Sequence, residues 1–170
     1  NLGEAIKSYS KYIGKVKPDL VLLTGDRIET LAMCLACSYM NIPTAHVQAG
    51  DKSGHIDDLA RGAIAKFSNV HFSSCLDSQK RLLFFGEEKK RIFNVGAPQL
   101  DDIDEFLKKN KVKIKKKLEE ILLIFHPVLN ERENLTKQIN NLISALSEFK
   151  VNVNVIYPNN DSGFEKIIST

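Results

Sequence analysis

The chain has 170 residues, of which 43% are hydrophobic and 26% charged, the composition of an ordinary globular protein long enough to bury one substantial core and little more. Its 24 basic and 21 acidic residues give a net charge of +3, which is too balanced to indicate nucleic-acid binding. No stretch resembles a signal peptide and no apolar run is long enough to span a bilayer, so we expect a reducing, cytoplasmic compartment and no membrane partner.

Short apolar runs alternate with amphipathic segments along the chain, a pattern typical of βαβ units with a parallel sheet. The predicted order begins with helix Leu2–Ile13, strand Leu20–Leu23, helix Glu29–Met40, strand Pro43–Val47, helix Asp57–Phe67, strand Val70–Ser73, helix Asp77–Phe85, strand Arg91–Val95 and helix Gln99–Lys108. After a lysine-rich run it continues with strand Ile121–Phe125, helix Asn134–Phe149, strand Val151–Tyr157 and a helix from about Ser162. The fold class is therefore α/β, with right-handed crossover connections expected.

Two features suggest a bound ligand, but their surroundings favour a simpler interpretation. Cys34 and Cys37 match C-x-x-C, yet they lie in the apolar segment LAMCLACSYM, where we expect buried thiols rather than a zinc or redox pair. The lysine run from Lys108 to Lys117 is interpreted as a solvated helix face or linker in preference to a phosphate-binding patch. It has no interleaved aromatic residues, which a surface that binds single-stranded nucleic acid would need for stacking. The histidines and cysteines lack metal-ligand spacing and no Walker-type loop is present, so we expect no metal and no tightly bound cofactor.

Polar residues follow the predicted strands, at the edge where ligands bind in open α/β sheets. They are Asp26 and Arg27, Gln48 and Asp51, Ser73 and Ser74, His126, and Asn159 with Asp161. Arginine can hold a phosphate, and carboxylates and histidine can move protons, so together they suit a phosphorylated sugar. Each also has a structural interpretation. Asp26 can cap the next helix, Asp57 can complement a helix dipole with Arg61 as its i, i+4 partner, and His71 is interpreted as a core histidine.

Several longer strings carry a family resemblance. KPDLVLLTGDRIETLA, NIPTAHVQAGDKSGHIDDLARGAIAKFSNVHF and RIFNVGAPQLDDI, followed by FHPVLNE and VIYPNNDSGFEK, resemble in order the hydrolysing UDP-N-acetylglucosamine 2-epimerases. The resemblance runs from about Val16 to the last residue and is strongest to the sialic-acid branch, through its GDR, IDD-x-x-R and HP signatures.

This resemblance implies two Rossmann-like domains facing each other across a cleft, the GT-B arrangement. Residues 1–117 would form the later part of the N-terminal domain and residues 118–170 the beginning of the C-terminal one. The chain opens with Asn1 rather than methionine, and both its ends fall within predicted helices. We therefore expect a fragment of about half an enzyme, inactive by itself, from a homo-oligomeric parent.

The resemblance also implies a reaction. A base takes the C2 proton of UDP-N-acetylglucosamine as UDP leaves C1, and water then adds to the resulting 2-acetamidoglucal at C1 while a proton returns to the opposite face of C2. The products would be UDP and N-acetylmannosamine.

Individual residues match the family by position. Those matching its active site are Asp26, Asp57, Arg61 and His126, with Gln48 where glutamate is common, and those matching its UDP contacts are Arg27, His126 and Asn159. We expect Asp26 and Asp57 to share the proton transfers, and the sequence leaves open which is acid and which is base.

Three positions depart from the family pattern. Gln48 is a neutral amide that can orient a hydroxyl group but cannot transfer a proton, and Asp51 is a candidate to compensate for it. Gly62 stands where the family has histidine in R-H-A-I-x-K, and Thr24 stands where some relatives have histidine before GDR.

Other functions stay open at this point. The substrate could be UDP-N,N'-diacetylbacillosamine, used on the way to legionaminic acid. A GT-B glycosyltransferase would share the nucleotide site but not the GDR and IDD-x-x-R strings, and a non-catalytic fragment would fit Gln48 and the chain ends. Nucleic-acid binding through the lysine run is disfavoured.

Overall fold

The computed structural model describes residues 1–54, 57–111, 119–158 and 163–169, and at residues 129 and 130 it describes the backbone alone. The chain divides into two compact units, Asn1–Lys111 and Val112–Thr170. The family resemblance predicts a domain boundary between residues 117 and 118, and this position falls in a segment outside the described residues. Each unit is described by itself.

The first unit is a four-stranded sheet connected by helices. Its elements are α1 (Leu2–Val16), β1 (Val21–Thr24), α2 (Ile28–Tyr39), β2 (Thr44–Val47), α3 (Asp57–Phe67), β3 (Val70–Ser73), α4 (Leu76–Phe84), β4 (Ile92–Asn94) and α5 (Gln99–Asn110). A short 3-10 turn, Lys89–Arg91, precedes β4. The strands lie in the order β1-β2-β3-β4, and every pairing is parallel, so all strand carboxyl ends meet at one edge.

Buried apolar side chains hold the helices to this sheet in three clusters. The α1–α2 cluster contains Ile13, Ala36 and Cys37, the second contains Leu23, Cys34 and Ile64, and the third contains Ala49, Ala65, Leu82 and Ile92. Both cysteines of the C-x-x-C string are fully buried with free thiols, which confirms the core interpretation. Burial raises the pKa of Cys37 to about 11, with the neighbouring Cys34 adding to the effect, and so keeps the thiol protonated.

The second unit pairs two parallel strands, β5 (Glu120–Ile124) and β6 (Asn152–Ile156). Between them lie a 3-10 segment, Leu129–Asn134, and helix α6 (Leu135–Ser147), and α7 (Phe164–Ser169) follows. Leu135 and Ile139 of α6 are buried in this unit. Gly163 has a φ of +103°, and a Cβ added there would lie 3.1 Å from the Leu135 side chain, so glycine fits the turn before α7.

The expected α/β class with parallel strands is confirmed in both units. Across the described residues, no helix combines the length and the apolar character that crossing a membrane requires.

Candidate active site at the carboxyl edge of the first sheet

The turn from β1 into α2 carries the first candidate residues. Gly25 has a φ of +86°, a conformation that favours glycine, and Asp26 and Arg27 follow it directly. The side chain of Arg27, the residue before α2, is exposed. In β2, the ring Nε2 of buried His46 lies 3.0 Å from the carbonyl oxygen of Gly25. Burial lowers the pKa of His46, so the ring is neutral at neutral pH and Nε2–H donates to this carbonyl.

Arg61 of α3 joins this turn to the loop after β2. One guanidinium nitrogen pairs with the carboxylate of Asp26. The other donates to the carboxylate of Asp58 at 2.6 Å and to the backbone oxygen of Asp51 at 2.7 Å. The side chain of Arg61 is 11% exposed and that of Asp26 22% exposed, so the pair is largely shielded from water. Arg61 therefore fixes two carboxylates and one carbonyl in a common geometry.

Asp58 organises the loop that leads into α3. Its carboxylate accepts hydrogen bonds from the backbone N–H and the hydroxyl of Ser53, both at 2.9 Å, and from the N–H of Gly54 at 2.8 Å. Partial burial acts to raise the pKa of Asp58, but these hydrogen bonds and the charge of Arg61 outweigh it, and the pKa is lowered. Asp58 is therefore held as a carboxylate at the amino end of α3.

Asp51 links the same loop to the region after β3. Its carboxylate accepts from the hydroxyl of Ser78 at 2.6 Å and from the hydroxyl of Ser74. Ser74 follows β3 directly and Ser78 is buried in α4. The polar residues that follow β2 and β3 thus meet at one edge, as the parallel topology requires.

Gly50 allows α4 to approach this loop closely. Its φ is +79°, and a Cβ there would lie 2.4 Å from the backbone oxygen of Ser78 and 2.8 Å from the Leu82 side chain. The guanidinium of Arg81 donates to the carbonyl of Gly50 at 2.8 Å, which anchors the loop on α4. Only glycine fits such a position.

Gln48 sits immediately after β2, with a φ of +60°. Its side-chain oxygen accepts a hydrogen bond from the amide of Gln99, the first residue of α5, at 3.0 Å. The amide is therefore positioned as a hydrogen-bonding group rather than as a proton-transfer group.

His71 belongs to a different cluster. Fully buried in β3, its Nε2 lies 3.2 Å from the carboxylate of Glu87, which also pairs with Lys66 at 2.8 Å and Arg91 at 3.3 Å. Burial lowers the pKa of His71, against the opposing effect of Glu87. Glu87 precedes β4, on the side of its amino end, so this cluster ties α3 to the approach to β4. The interpretation of His71 as a core histidine is confirmed.

The second unit holds the remaining predicted residues. His126 is exposed and follows β5, next to buried Pro127. Asn159, predicted to contact UDP, lies outside the described residues, as does Asp161.

The structure thus brings Asp26 and Arg61 into direct contact, and Asp57 begins α3 one residue before Asp58. The sequence analysis did not select Asp58 for the site, although its i, i+3 spacing to Arg61 is a recognisable pairing signal. It also missed Ser78 and Arg81, which share one face of α4 at the same spacing.

A cavity of about 480 Å³ opens between α3 and α4, and Asp51, Asp58 and Arg61 form part of its wall. Its wall is lined by Gly50, Asp51, Lys52, Asp58, Leu59, Arg61, Gly62, Ala65, Arg81, Leu82 and Phe85. The volume is that of a small-molecule site.

Comparisons with known proteins agree on one family. The family model described as UDP-N-acetylglucosamine 2-epimerase matches residues 1–170. The chain is 35% identical over 170 residues to a UDP-N,N'-diacetylbacillosamine 2-epimerase (hydrolyzing) of Legionella pneumophila, covering 95% of this chain and 45% of that protein. It is 31% identical over 172 residues to a UDP-N-acetylglucosamine 2-epimerase of Neisseria meningitidis, covering 98% and 46%. The chain therefore spans about half the length of these relatives.

Solved structures show the same fold. The crystal structure of UDP-GlcNAc 2-epimerase from Neisseria meningitidis bound to UDP-GlcNAc matches with a TM-score of 0.81 at 21% identity, over 99% of this chain and 50% of that one. A Methanocaldococcus jannaschii UDP-GlcNAc 2-epimerase in complex with UDP-GlcNAc and UDP matches with a TM-score of 0.76 at 20% identity, over 99% and 49%. The Rossmann-like fold class is confirmed by these matches.

Proposed function

The chain belongs to the UDP-N-acetylglucosamine 2-epimerase family, and we propose that the full-length protein containing it hydrolyses a UDP-2-acetamido sugar with inversion at C2. The observation that carries the proposal is the Arg61 cluster. One guanidinium pairs with both the GDR carboxylate Asp26, which follows β1, and the IDD-x-x-R carboxylate Asp58, which lies in the first turn of α3. Strings that are distant in the sequence are thereby joined in one place.

The proposed reaction has two stages. In the first, a carboxylate removes the C2 proton while the C1–O bond to UDP breaks, and the electron pair of the C–H bond forms the C1–C2 double bond of the glucal. In the second, water adds its oxygen to C1 and a proton is delivered to C2 from the opposite face. UDP and the free 2-epimeric sugar are the products, and no oxidant or reductant is needed.

We assign the two proton transfers to Asp26 and Asp57, on separate elements of the same edge. Arg61 orients Asp26 by direct pairing. Gln48, held through Gln99, is assigned to orient a sugar hydroxyl group. A fixed carboxylate can act efficiently as a general acid or base because its geometry is set before substrate arrives.

The diphosphate is assigned to cationic and polar groups. Arg27 is exposed at the β1–α2 turn, where its guanidinium is accessible to an anion. We assign His126 and Asn159 to UDP on the basis of the family resemblance, with residues 118–170 as the start of the second domain of a GT-B fold. The homo-oligomer implied by the same resemblance stays a prediction, which sedimentation of the full-length protein can check.

Two substrates are carried forward, UDP-N-acetylglucosamine and UDP-N,N'-diacetylbacillosamine. The second is favoured by the relatives: besides the Legionella protein, a GDP/UDP-N,N'-diacetylbacillosamine 2-epimerase (hydrolyzing) of Campylobacter jejuni is 37% identical over 160 residues. The relative of Neisseria meningitidis named for UDP-N-acetylglucosamine is 31% identical.

The test uses the full-length protein with each UDP-sugar in turn and no added acceptor. Phosphorus NMR follows UDP and proton NMR identifies the released sugar. We expect UDP and the free 2-epimeric sugar, with one deuterium incorporated at C2 in D₂O because the proton there is exchanged. Release of UDP only when an acceptor sugar is added would instead identify a glycosyltransferase, and release from neither substrate would contradict the proposal.

A further inference from the structure

The turn after β1 is held through two successive carbonyl groups. The hydroxyl of Thr30 in α2 donates to the carbonyl of Thr24 at 3.1 Å. Nε2 of His46 in β2 lies 3.0 Å from the carbonyl oxygen of Gly25. This second carbonyl belongs to the planar peptide unit that also contains the nitrogen and Cα of Asp26. A contact that fixes the Gly25 oxygen therefore also fixes the direction in which the Asp26 side chain leaves the backbone.

The carboxylate of Asp26 is held at its other end by Arg61. Within the described part of the chain, this pairing engages Oδ2 of Asp26 and leaves Oδ1 without a protein partner. The side chain is 22% exposed, so a ligand can reach it. A carboxylate that transfers protons needs an accessible oxygen and an orientation that is set before substrate arrives. His46 contributes to that orientation through the backbone and Arg61 through the side chain.

The ring of His46 is immobile and neutral. It is fully buried on the helix-covered face of the sheet, directly beside His71 of β3. Burial lowers the pKa of His46, so one ring nitrogen carries a hydrogen and the other a lone pair. The carbonyl of Gly25 can only accept, so the hydrogen is on Nε2 and the lone pair on Nδ1.

Filling the core does not explain an imidazole at this position. Among the described residues, Nδ1 of His46 is buried with no hydrogen-bond partner, which lowers stability because the nitrogen has given up its hydrogen bond to water. An apolar side chain of similar size would avoid this loss. It could not, however, donate to the carbonyl of Gly25. The advantage of histidine therefore lies in the contact that Nε2 makes with the turn.

We propose that His46 is a positioning residue of the reaction: its Nε2–H holds the peptide unit between Gly25 and Asp26, and with it the Asp26 carboxylate, in the geometry that proton transfer requires. The inference rests on the proposed function, which gives Asp26 a proton to transfer. Because its side chain is fully buried, His46 acts through Asp26 and does not itself touch the substrate.

The test compares two amides at position 46 of the full-length protein, with whichever of the two UDP-sugars the unchanged protein hydrolyses. The amide nitrogen of glutamine lies about as far from the backbone as Nε2 and can donate to the Gly25 carbonyl, whereas asparagine reaches only as far as Nδ1. We expect His46→Gln to keep kcat within about fivefold and His46→Asn to lose about 100-fold. KM should change little in both, because the contact matters when the proton moves.

Two further measurements separate positioning from a merely structural role. His71→Asn is the matched control, because His71 is equally buried and adjacent in register but contacts Glu87 instead of the turn. It should lower the midpoint of thermal unfolding and leave kcat unchanged. In an Asp26→Asn background, adding His46→Asn should lower kcat by less than about threefold, since the carboxylate that it positions is already gone.

Several results would overturn this inference while leaving the proposed function standing. They are equal kcat values for His46→Gln and His46→Asn, the same loss of kcat in His71→Asn, full activity in Asp26→Asn, or a further loss of about 100-fold in the double variant. If His46→Asn fails to fold, His46→Leu takes its place, because leucine fills a similar volume without a donor and should lose kcat to the same extent. Hydrolysis of neither sugar by the unchanged protein would overturn the proposed function itself.

Discussion

The guanidinium of Arg61 on α3 pairs with the carboxylate of Asp26, which lies 35 residues earlier at the end of β1. The same side chain contacts Asp58 within its own helix and the backbone of Asp51 in the preceding loop. Only a planar group with several fixed donors can serve these three partners together. The positions of these three groups in the candidate site therefore depend on one residue, Arg61.

Replacing Arg61 by lysine tests this dependence of the site on one side chain. Lysine keeps the positive charge, but one ammonium group cannot hold all three partners, so we expect kcat of the full-length enzyme to fall about 100-fold through misplacement of the carboxylates. The free energy of unfolding should fall by about 2 kcal/mol as charged hydrogen bonds are lost. Steady-state kinetics and urea unfolding measure the two effects. Arg91→Lys is the matched control, since Arg91 is also ion-paired but precedes β4, and full activity in Arg61→Lys would contradict the prediction.

The carboxylates themselves are tested by Asp26→Asn and Asp57→Asn. Asparagine keeps the size and hydrogen-bonding capacity but cannot transfer a proton, so each variant should lose at least about 100-fold in kcat. The matched control is Asp77→Asn, because the Asp77 side chain is 70% exposed and pairs with Lys80 at the surface. Full activity in either test variant would remove that residue from the proton transfers.

Asp58→Asn tests whether the charge of the Asp58 carboxylate stabilises the fold and whether that stabilisation depends on pH. Because the pKa of Asp58 is below its ordinary value of 3.8 in the folded chain, its charge stabilises the fold above that pH, and the contribution is lost as the pH falls through the folded pKa. We expect the variant to be less stable by about 1–3 kcal/mol at neutral pH. Urea unfolding should show this difference shrinking below pH 3.8, and a difference that is independent of pH would show that the charge is not its source.

Gly50→Ala and Gly54→Ala separate backbone strain from close packing. Their φ values are nearly equal, +79° and +78°, so the cost of a left-handed alanine, about 1–2 kcal/mol, is common to both. A Cβ at Gly54 meets nothing within 4 Å, whereas at Gly50 it meets the Ser78 backbone at 2.4 Å. The free energy of unfolding of Gly50→Ala should therefore be about 1–3 kcal/mol lower than that of Gly54→Ala. Equal urea-unfolding midpoints for the two variants would show that α4 can shift away from residue 50 at no cost in stability.

His46 gives the chain a sensitivity to mild acid. Burial holds the pKa of His46 below 6.5 in the folded chain, so the unfolded chain binds a proton first as the pH falls. Stability should therefore be full above pH 6.5 and decline as the pH falls from there through the folded pKa. His46→Gln, which cannot titrate, should flatten the decline in urea unfolding between pH 7 and pH 5, although His71 contributes a decline of the same sign. An unaltered slope would contradict this role.

The fold was largely readable from the sequence because its signals are local. Strand Val70–Ser73 and helix Asp57–Phe67 were predicted with the bounds that the structure shows, since a β-rich apolar run and an acidic helix start lie within each segment. Gathering Asp26 and Arg61 at one edge followed from the parallel order of strands.

The finer contacts were not readable in this way. The structure shows an i, i+3 contact between Arg61 and Asp58, which the sequence analysis did not single out. This contact depends on the loop from Gln48 to Gly54, whose positive φ angles and whose contacts with α4 come from residues far along the chain. The cavity beside Gly62 likewise depends on the separation of two helices, which no local pattern encodes.

The strand order of the first unit affects how this unit folds. Within this unit β2, β3 and β4 each pair with the strand that comes just before them in the chain, so each of these pairings closes a short stretch of sequence. The sheet can grow from β1 toward β4 by successive short-range closures, which favours rapid folding despite the parallel pairing.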